Sequence, residues 1–261
     1  MSPMLNVAVR AARAGGDVIV RYMDKVKDIT RDRKGLNDFV TEVDRRAEEV
    51  IIDIIRRAYP QHGILAEESG AHGEHEFTWI IDPLDGTTNY LHGFPQFAVS
   101  IGLRRGATLE NGVVYDPLRQ ELFTATRGAG AYMDNRRIRV SRLQHMQSAL
   151  LGTGFPFRDM ERADQFLELF RRMLPISEGI RRAGAAALDL AYVACGRLDG
   201  FWELGLKPWD IAAGALLITE AGGLISDMQG GNAFLESGDV VAANAQLHAR
   251  LLELIREAGR A

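Results

Sequence analysis

Cysteine is nearly absent. Of 261 residues only Cys195 carries a thiol, so no disulfide framework can form within the chain, which fits a reducing compartment. Long apolar runs are missing too. The longest, Ile211 to Ile218, lies between Asp210 and Glu220 and falls far short of the ~20 residues of a membrane-spanning helix. The opening stretch is interrupted by Arg10, Arg13 and Asp17 and is too short and too charged for a secretory apolar core. A cytoplasmic protein without membrane contact is expected. Neither sign of charge dominates: 31 basic against 35 acidic residues leave a net −4, which argues against generic nucleic-acid binding. The phosphate-cradling P-loop, the Gly-x-Ser-x-Gly elbow and the His-Glu-x-x-His zinc motif are all lacking. Six histidines are scattered, and His72 with His75 sits in a charged loop that offers too few ligands for zinc. Repeats, low-complexity tracts and long linkers are absent as well.

What is present suffices for a substantial core. A chain of 28.8 kDa buries nearly three quarters of its extended surface on folding. Apolar spacing of three and four predicts helices over residues 4–23 and 42–58, the second with Thr41 as N-cap and preceded by a polar turn at Gly35 and Asn37. From 62 to 140, short β-like runs (Gly63–Ala66, Thr78–Ile81, Phe97–Leu103, Gly112–Tyr115, Glu121–Ala125) predict a largely antiparallel sheet. Beyond it the pattern alternates. Strands are expected at Ala149–Leu151, Gly200–Leu204, Leu224–Ser226 and Val240–Ala242. Helices are expected at Arg162–Met173, Ala185–Cys195, Trp209–Ala221 and Ala245–Ala258. This order implies one continuous unit of two packed lobes, 1–145 and 146–261.

The chemistry concentrates in acids at the ends of apolar segments. Trp79-Ile80-Ile81 runs into Asp82-Pro83-Leu84-Asp85-Gly86-Thr87-Thr88-Asn89. Pro83 fixes a torsion between the two carboxylates. Gly86 permits a sharp turn after which the N–H groups of 86–88 can converge on an anion. Carboxylates for a hard cation beside amides for phosphate suit metal-dependent phosphoryl chemistry. The competing structural reading is an acidic turn with one aspartate as a cap. Glu67 and Glu68 end another apolar run, and Asp210 opens the helix after Pro208. Taken singly, Glu67 and Glu68 read as solvated acids, Asp210 as an N-terminal cap and Asp44 as a dipole-complementing acid. If Glu67, Asp82, Asp85 and Asp210 converge, they repel by about 4 kcal/mol per close pair at an effective dielectric of 20 and need a cation. All-oxygen ligands select Mg²⁺, Mn²⁺ or Ca²⁺ over zinc.

Glu67-Glu68-Ser69, Asp82 to Asn89 and Trp209-Asp210-Ile211-Ala212-Ala213-Gly214 resemble the signatures of the inositol monophosphatase family, Mg²⁺-dependent and lithium-sensitive sugar phosphatases. The resemblance runs from Asn37–Asp44 to Glu220–Gly223. The Thr124–Gly128, Gly154-Phe155-Pro156-Phe157 and Ala187–Val193 segments are similar to the family's bacterial extragenic-suppressor branch. The resemblance implies an α+β fold, a layered αβαβα sandwich of the sugar-phosphatase type shared with fructose-1,6-bisphosphatase. It implies two or three Mg²⁺ ions: Glu67, Asp82 and the Leu84 carbonyl at one, Asp82, Asp85 and Asp210 at a second, Glu67 at a weaker third. It assigns catalytic roles to Glu67, Thr87 and Asp44, the latter two orienting and deprotonating water. Phosphate would lie on the Gly86-Thr87 amides. Asp85, Asp210, Gly184, Ala186, Glu203 and Arg181 would face the rest of the substrate. The implied reaction is hydrolysis of myo-inositol 1-phosphate. Fructose 1,6-bisphosphate, nucleotide 3′-phosphates and histidinol phosphate are substrates of the same chemistry. A homodimer and an added association with the transcription antitermination machinery follow from the same likeness. The Arg doublets, dispersed and without interleaved aromatics, do not form a nucleic-acid face.

Overall fold

A computed structural model describes residues 2–28, 33–156 and 160–258, with the backbone alone for residues 24, 26–28 and 33–41. Phe157 and the side chains of the Asn37–Thr41 segment lie outside the described residues.

Helix α1 (Pro3–Asp28) begins with proline at its first position, and the Ser2 hydroxyl accepts the Leu5 N–H at 3.1 Å. Helix α2 (Arg33–Ala58) packs against it through Val43, Ala47, Ile51 and Ile55. The sequence places a turn at Gly35 and Asn37 and a cap at Thr41, whereas the backbone is helical from Arg33. Gly35 falls in the first turn, where N–H groups need no partner within the helix, so its poor propensity costs only about 1 kcal/mol.

An eight-stranded sheet follows, made of β1 (Gly63–Ala66), β2 (Gly70–His72), β3 (Phe77–Asp85), β4 (Ala98–Arg105), β5 (Thr108–Asp116), β6 (Glu121–Thr126), β7 (Gly130–Met133) and β8 (Arg136–Arg137). Helix α3 (Thr87–Leu91) interrupts it after β3. The spatial order is β2-β1-β3-β4-β5-β6-β7-β8, antiparallel except for β1 beside β3. The second half supplies β9 (Leu150–Thr153), α4 (Ala163–Met173), β10 (Gly179–Arg181), α5 (Ala186–Ala194), β11 (Gly200–Glu203), α6 (Pro208–Glu220), β12 (Leu224–Ser226), α7 (Phe234–Ser237), β13 (Val240–Ala243) and α8 (Ala245–Ala258). Its sheet has the order β10-β9-β11-β13-β12, with β10, β9 and β11 parallel.

The layers run α1/α2, first sheet, α5/α6, second sheet, α4/α8, the αβαβα sandwich expected from the family resemblance. Three cores fill the spaces between them. Strand pleating divides β3 between two of these cores: Trp79 and Ile81 face α1/α2, while Ile80 faces the middle layer. Helices α5 and α6 are apolar nearly all round because both sides are covered. Helix α6 comes very close to the first sheet. Gly102 and Gly112 pair side by side on β4 and β5. A Cβ on Gly102 would lie 2.8 Å from the Ala212 Cβ, and one on Gly112 would lie 2.7 Å from the Ala213 oxygen. This trough sets the depth at which the helix carrying Asp210 lies on the sheet. Among the described residues no helix is long and apolar enough to cross a membrane.

Candidate functional site

Strand β3 continues through Pro83 because its ladder with β4 slips there. Asp82 pairs with Ser100 and Asp85 with Ala98, so two residues, 83 and 84, stand opposite one. A proline is tolerated at such a bulge because it owes the ladder no N–H. The slip brings both aspartates to bear on one place. Asp82 is 1% exposed, and its Oδ1 accepts the Leu84 N–H at 2.9 Å. The Asp85 Oδ2 accepts the Ala187 N–H at 2.8 Å from the start of α5.

Gly86 follows with φ 92° and ψ 32°, a left-handed conformation costly for any residue with a Cβ. A Cβ there would also sit 2.8 Å from the Gln96 carbonyl oxygen. Thr87 then opens α3, and its hydroxyl donates to the Leu84 carbonyl at 3.0 Å. The Asn89 amide donates to the carbonyls of Gln96 at 2.8 Å and Ala183 at 2.9 Å, with Gly184 at 3.2 Å. It thereby clasps the 183–184 loop to this turn.

Asp210 reaches the same place from the N-terminus of α6. Its Oδ2 accepts the Lys207 N–H at 2.7 Å, so it does cap the helix, as its position alone suggests. Its carboxylate also joins the other two: one oxygen from each of Asp82, Asp85 and Asp210 lies within 4.8 Å of the others.

Glu67 enters from the end of β1, where its N–H donates to the Ile81 carbonyl at 3.1 Å. Behind it lies a residue that the sequence reading missed. Glu48 on α2, 3% exposed, accepts the N–H groups of Glu68 and Ser69, both at 2.9 Å. It fixes the turn that presents Glu67. An acid inside an apolar helical stripe was the only signal for it.

The electrostatics follow from this crowding. Burial and then the charges of Glu67, Asp85 and Asp210 push the Asp82 carboxyl well above its ordinary range. Asp85 moves the same way through burial and Asp210, against the Ala187 hydrogen bond. Asp44, on α2, is pushed up to about 8 by burial and then by Glu68, Glu67 and Glu48. Its Oδ1 makes no hydrogen bond among the described residues.

A second group faces the cluster from the other half of the chain. Glu203 ends β11, and its pKa is raised by burial and then by Asp189 and Asp210, with Arg182 opposing. Asp189 on α5, another residue missed from sequence, is 1% exposed with an Oδ1 that has no hydrogen bond among the described residues. Burial and then Asp85 raise it. Gly184 (φ 84°) lies on the segment that leads into α5, and Ala186 is the first residue of that helix. Arg181 is exposed on β10 and donates to the Ile180 carbonyl at 3.3 Å. Its neighbour Arg182 is the cation felt by Glu203 and Asp189.

The donor set of the cluster fits a hard divalent cation. It is all carboxylate oxygen, with no histidine or thiolate among its members, and the members are too close and too buried to remain ionised together unaided. Oxygen-only sites of this kind suit Mg²⁺, Mn²⁺ or Ca²⁺.

The sequence model of the inositol monophosphatase family matches residues 1–260. The Nus factor SuhB of Pseudomonas aeruginosa is 53% identical over 262 residues, covering 98% of this chain and 97% of that protein. Among solved structures, the extragenic suppressor protein suhB from Bartonella henselae is similar at a TM-score of 0.88 and 41% identity, over 98% of this chain and 100% of that one. The inositol monophosphatase from Anabaena (Nostoc) sp. PCC 7120 is similar at a TM-score of 0.89 and 41% identity, over 97% and 95%.

Proposed function

The chain belongs to the inositol monophosphatase family, and from that premise we propose that it hydrolyses phosphate monoesters of small polyols, myo-inositol 1-phosphate foremost, with Mg²⁺ as cofactor. The observation that carries this reading is the meeting of Asp82, Asp85 and Asp210 within 4.8 Å beside the Gly86-Thr87 turn.

Glu67, Asp82 and the Leu84 carbonyl would hold one ion, and Asp82, Asp85 and Asp210 a second, with Glu67 helping at a weaker third. Mg²⁺ bound there would lower the pKa of water and place positive charge against the phosphate and the leaving oxygen. The chain's own residues do the rest. The Thr87 hydroxyl commits its proton to Leu84, so its lone pairs can accept a hydrogen bond from the attacking water and orient it. Asp44, with a raised proton affinity and an oxygen that has no hydrogen bond among the described residues, is suited to take the proton of that water. The Gly86 and Thr87 amides would receive the phosphate. Glu203 would accept hydroxyls of the polyol, and Gly184, Ala186 and Arg181 would border it, with Asp85 and Asp210 also touching the ester.

Phosphate release from inositol 1-phosphate, with Mg²⁺ and with chelator, tests this. Fructose 1,6-bisphosphate, a nucleotide 3′-phosphate and histidinol phosphate serve as competitors. Turnover only with Mg²⁺ and a higher kcat/KM for the inositol ester are expected. Equal rates in chelator would overturn the metal chemistry, and preference for another ester would move the substrate assignment. Lithium inhibition, a cytoplasmic location and a homodimer are parts of the same proposal, the last checked by light scattering in solution.

A second role is favoured by the name Nus factor carried by a relative 53% identical over 98% of this chain: association with the transcription antitermination machinery. Copurification with RNA polymerase that survives Asp82→Asn would support a binding function separate from catalysis. Failure of the wild-type protein to copurify would count against it.

A further inference from the structure

Gly154, the first residue after β9, is buried, and its φ lies outside the left-handed region. Its backbone therefore imposes no requirement for glycine. Glu203 imposes one instead: a Cβ built on Gly154 would fall on the Glu203 carboxylate, against Oε1, Cδ and Oε2. The register accounts for the contact. Strands β9 and β11 run parallel with Trp202 beside Thr153, so the next residues along, Glu203 and Gly154, are neighbours.

We propose that Gly154 is a specificity-determining position whose missing side chain is the seat of the Glu203 carboxylate, fixing it for recognition of polyol hydroxyls. This rests on the role given to Glu203 above. Gly154 touches no substrate in this scheme; it is a positioning residue acting through Glu203. The adjacent residue has a matching part. The Arg182 guanidinium lies 5.1 Å over the Phe155 ring, so two successive residues set down an anion and a cation along the same wall. The carboxylate is the free end of a flexible side chain, while strands β9 and β11 are held in a ladder. An added methyl group therefore displaces the carboxylate rather than the strands.

The experiment compares Gly154→Ala, Glu203→Ala and the double variant on inositol 1-phosphate and on phenyl phosphate, which has no hydroxyls, at saturating Mg²⁺. Loss of charge-assisted hydrogen bonds predicts that Gly154→Ala raises KM for inositol 1-phosphate about tenfold or more, with kcat changed less. The preference for inositol 1-phosphate over phenyl phosphate should fall about as far. The double variant should be no worse than Glu203→Ala alone, because the volume is then vacant. An unchanged KM in Gly154→Ala, or a full added cost in the double variant, overturns the inference. If Glu203→Ala raises KM and Gly154→Ala does not, the inference fails while the role of Glu203 stands. If Glu203→Ala leaves KM unchanged, the role of Glu203 fails, and any effect of Gly154→Ala then arises elsewhere. Should Gly154→Ala not fold, the double variant must recover the wild-type melting transition; continued unfolding also overturns the inference.

Discussion

Replacing Asp82 by asparagine should make the metal-free protein more stable and the metal-loaded protein less so. Asparagine keeps an oxygen for the Leu84 N–H, the 2.9 Å bond that Asp82 makes, and removes one charge from a cluster whose oxygens lie within 4.8 Å. Each ionised pair at that separation repels by about 3.5 kcal/mol at an effective dielectric of 20. Burial and the neighbouring acids hold the Asp82 pKa above its ordinary value, so the folded chain keeps a proton that the unfolded chain has released. The stability tied to that proton is complete below about pH 4 and is lost as pH rises toward the folded pKa, by about 1.4 kcal/mol per pH unit. As pH rises from about 4 toward that raised value the wild type should thus lose stability that Asp82→Asn keeps. In chelator, calorimetry should show equal Tm near pH 4 and a variant that melts higher at pH 7. Mg²⁺ at about a thousand times its Kd should then raise the wild type by about 4.1 kcal/mol and the variant by little, reversing the order. A variant that melts lower than wild type in chelator at pH 7, or one that gains as much from Mg²⁺, would refute the reasoning.

Three further outcomes are expected. Thr87→Ala should lower kcat by about 10²-fold while preserving the Mg²⁺-induced rise in Tm; parallel loss of both would make the hydroxyl structural rather than water-orienting. Glu48→Gln leaves one of the Glu68 and Ser69 N–H groups unpaired, at a cost of about 1–3 kcal/mol, and should raise the Mg²⁺ concentration for half-maximal activity. An unaltered Mg²⁺ requirement would remove Glu48 as the support of Glu67. Gly86→Ala combines a φ of 92° with a Cβ 2.8 Å from the Gln96 oxygen, so Tm should fall and inhibition by inorganic phosphate should weaken, both measurable on the purified protein. Wild-type phosphate inhibition in that variant would exclude the turn from phosphate binding.

The layered fold was legible wherever periodicity is strong. The α1 and α2 stripes, the central strands of the first sheet and the apolar α5 and α6 all lie where their patterns place them. Short pieces without a pattern were not: β2 (Gly70–His72), β8 (Arg136–Arg137) and β10 (Gly179–Arg181) are two or three residues long and depend on their neighbours for pairing. Pro83 reads as the end of a strand, yet β3 passes through it because the slip against β4 frees that position from the ladder. Within the site, the convergence of Asp82, Asp85 and Asp210 could be anticipated from their shared setting at the ends of apolar segments. Glu48 and Asp189 could not: Glu48 is one of several acids on α2, told apart only by the N–H groups of Glu68 and Ser69 that it accepts, and Asp189 is a lone acid in the apolar α5 whose charged neighbours lie elsewhere in the chain. Gly154 was visible as part of a motif, but its reason is a carboxylate on the neighbouring strand.

The hydrogen bond from Ala187 to Asp85 joins residues 102 positions apart, and Asp210 arrives on yet another helix. No early hairpin or isolated lobe holds this cage. A divalent ion bound there would therefore distinguish the completed molecule from every partly assembled one. Its effect on kinetics should be to delay unravelling rather than to hasten assembly, so that ion supply would govern how long a finished copy survives more than how quickly one is made.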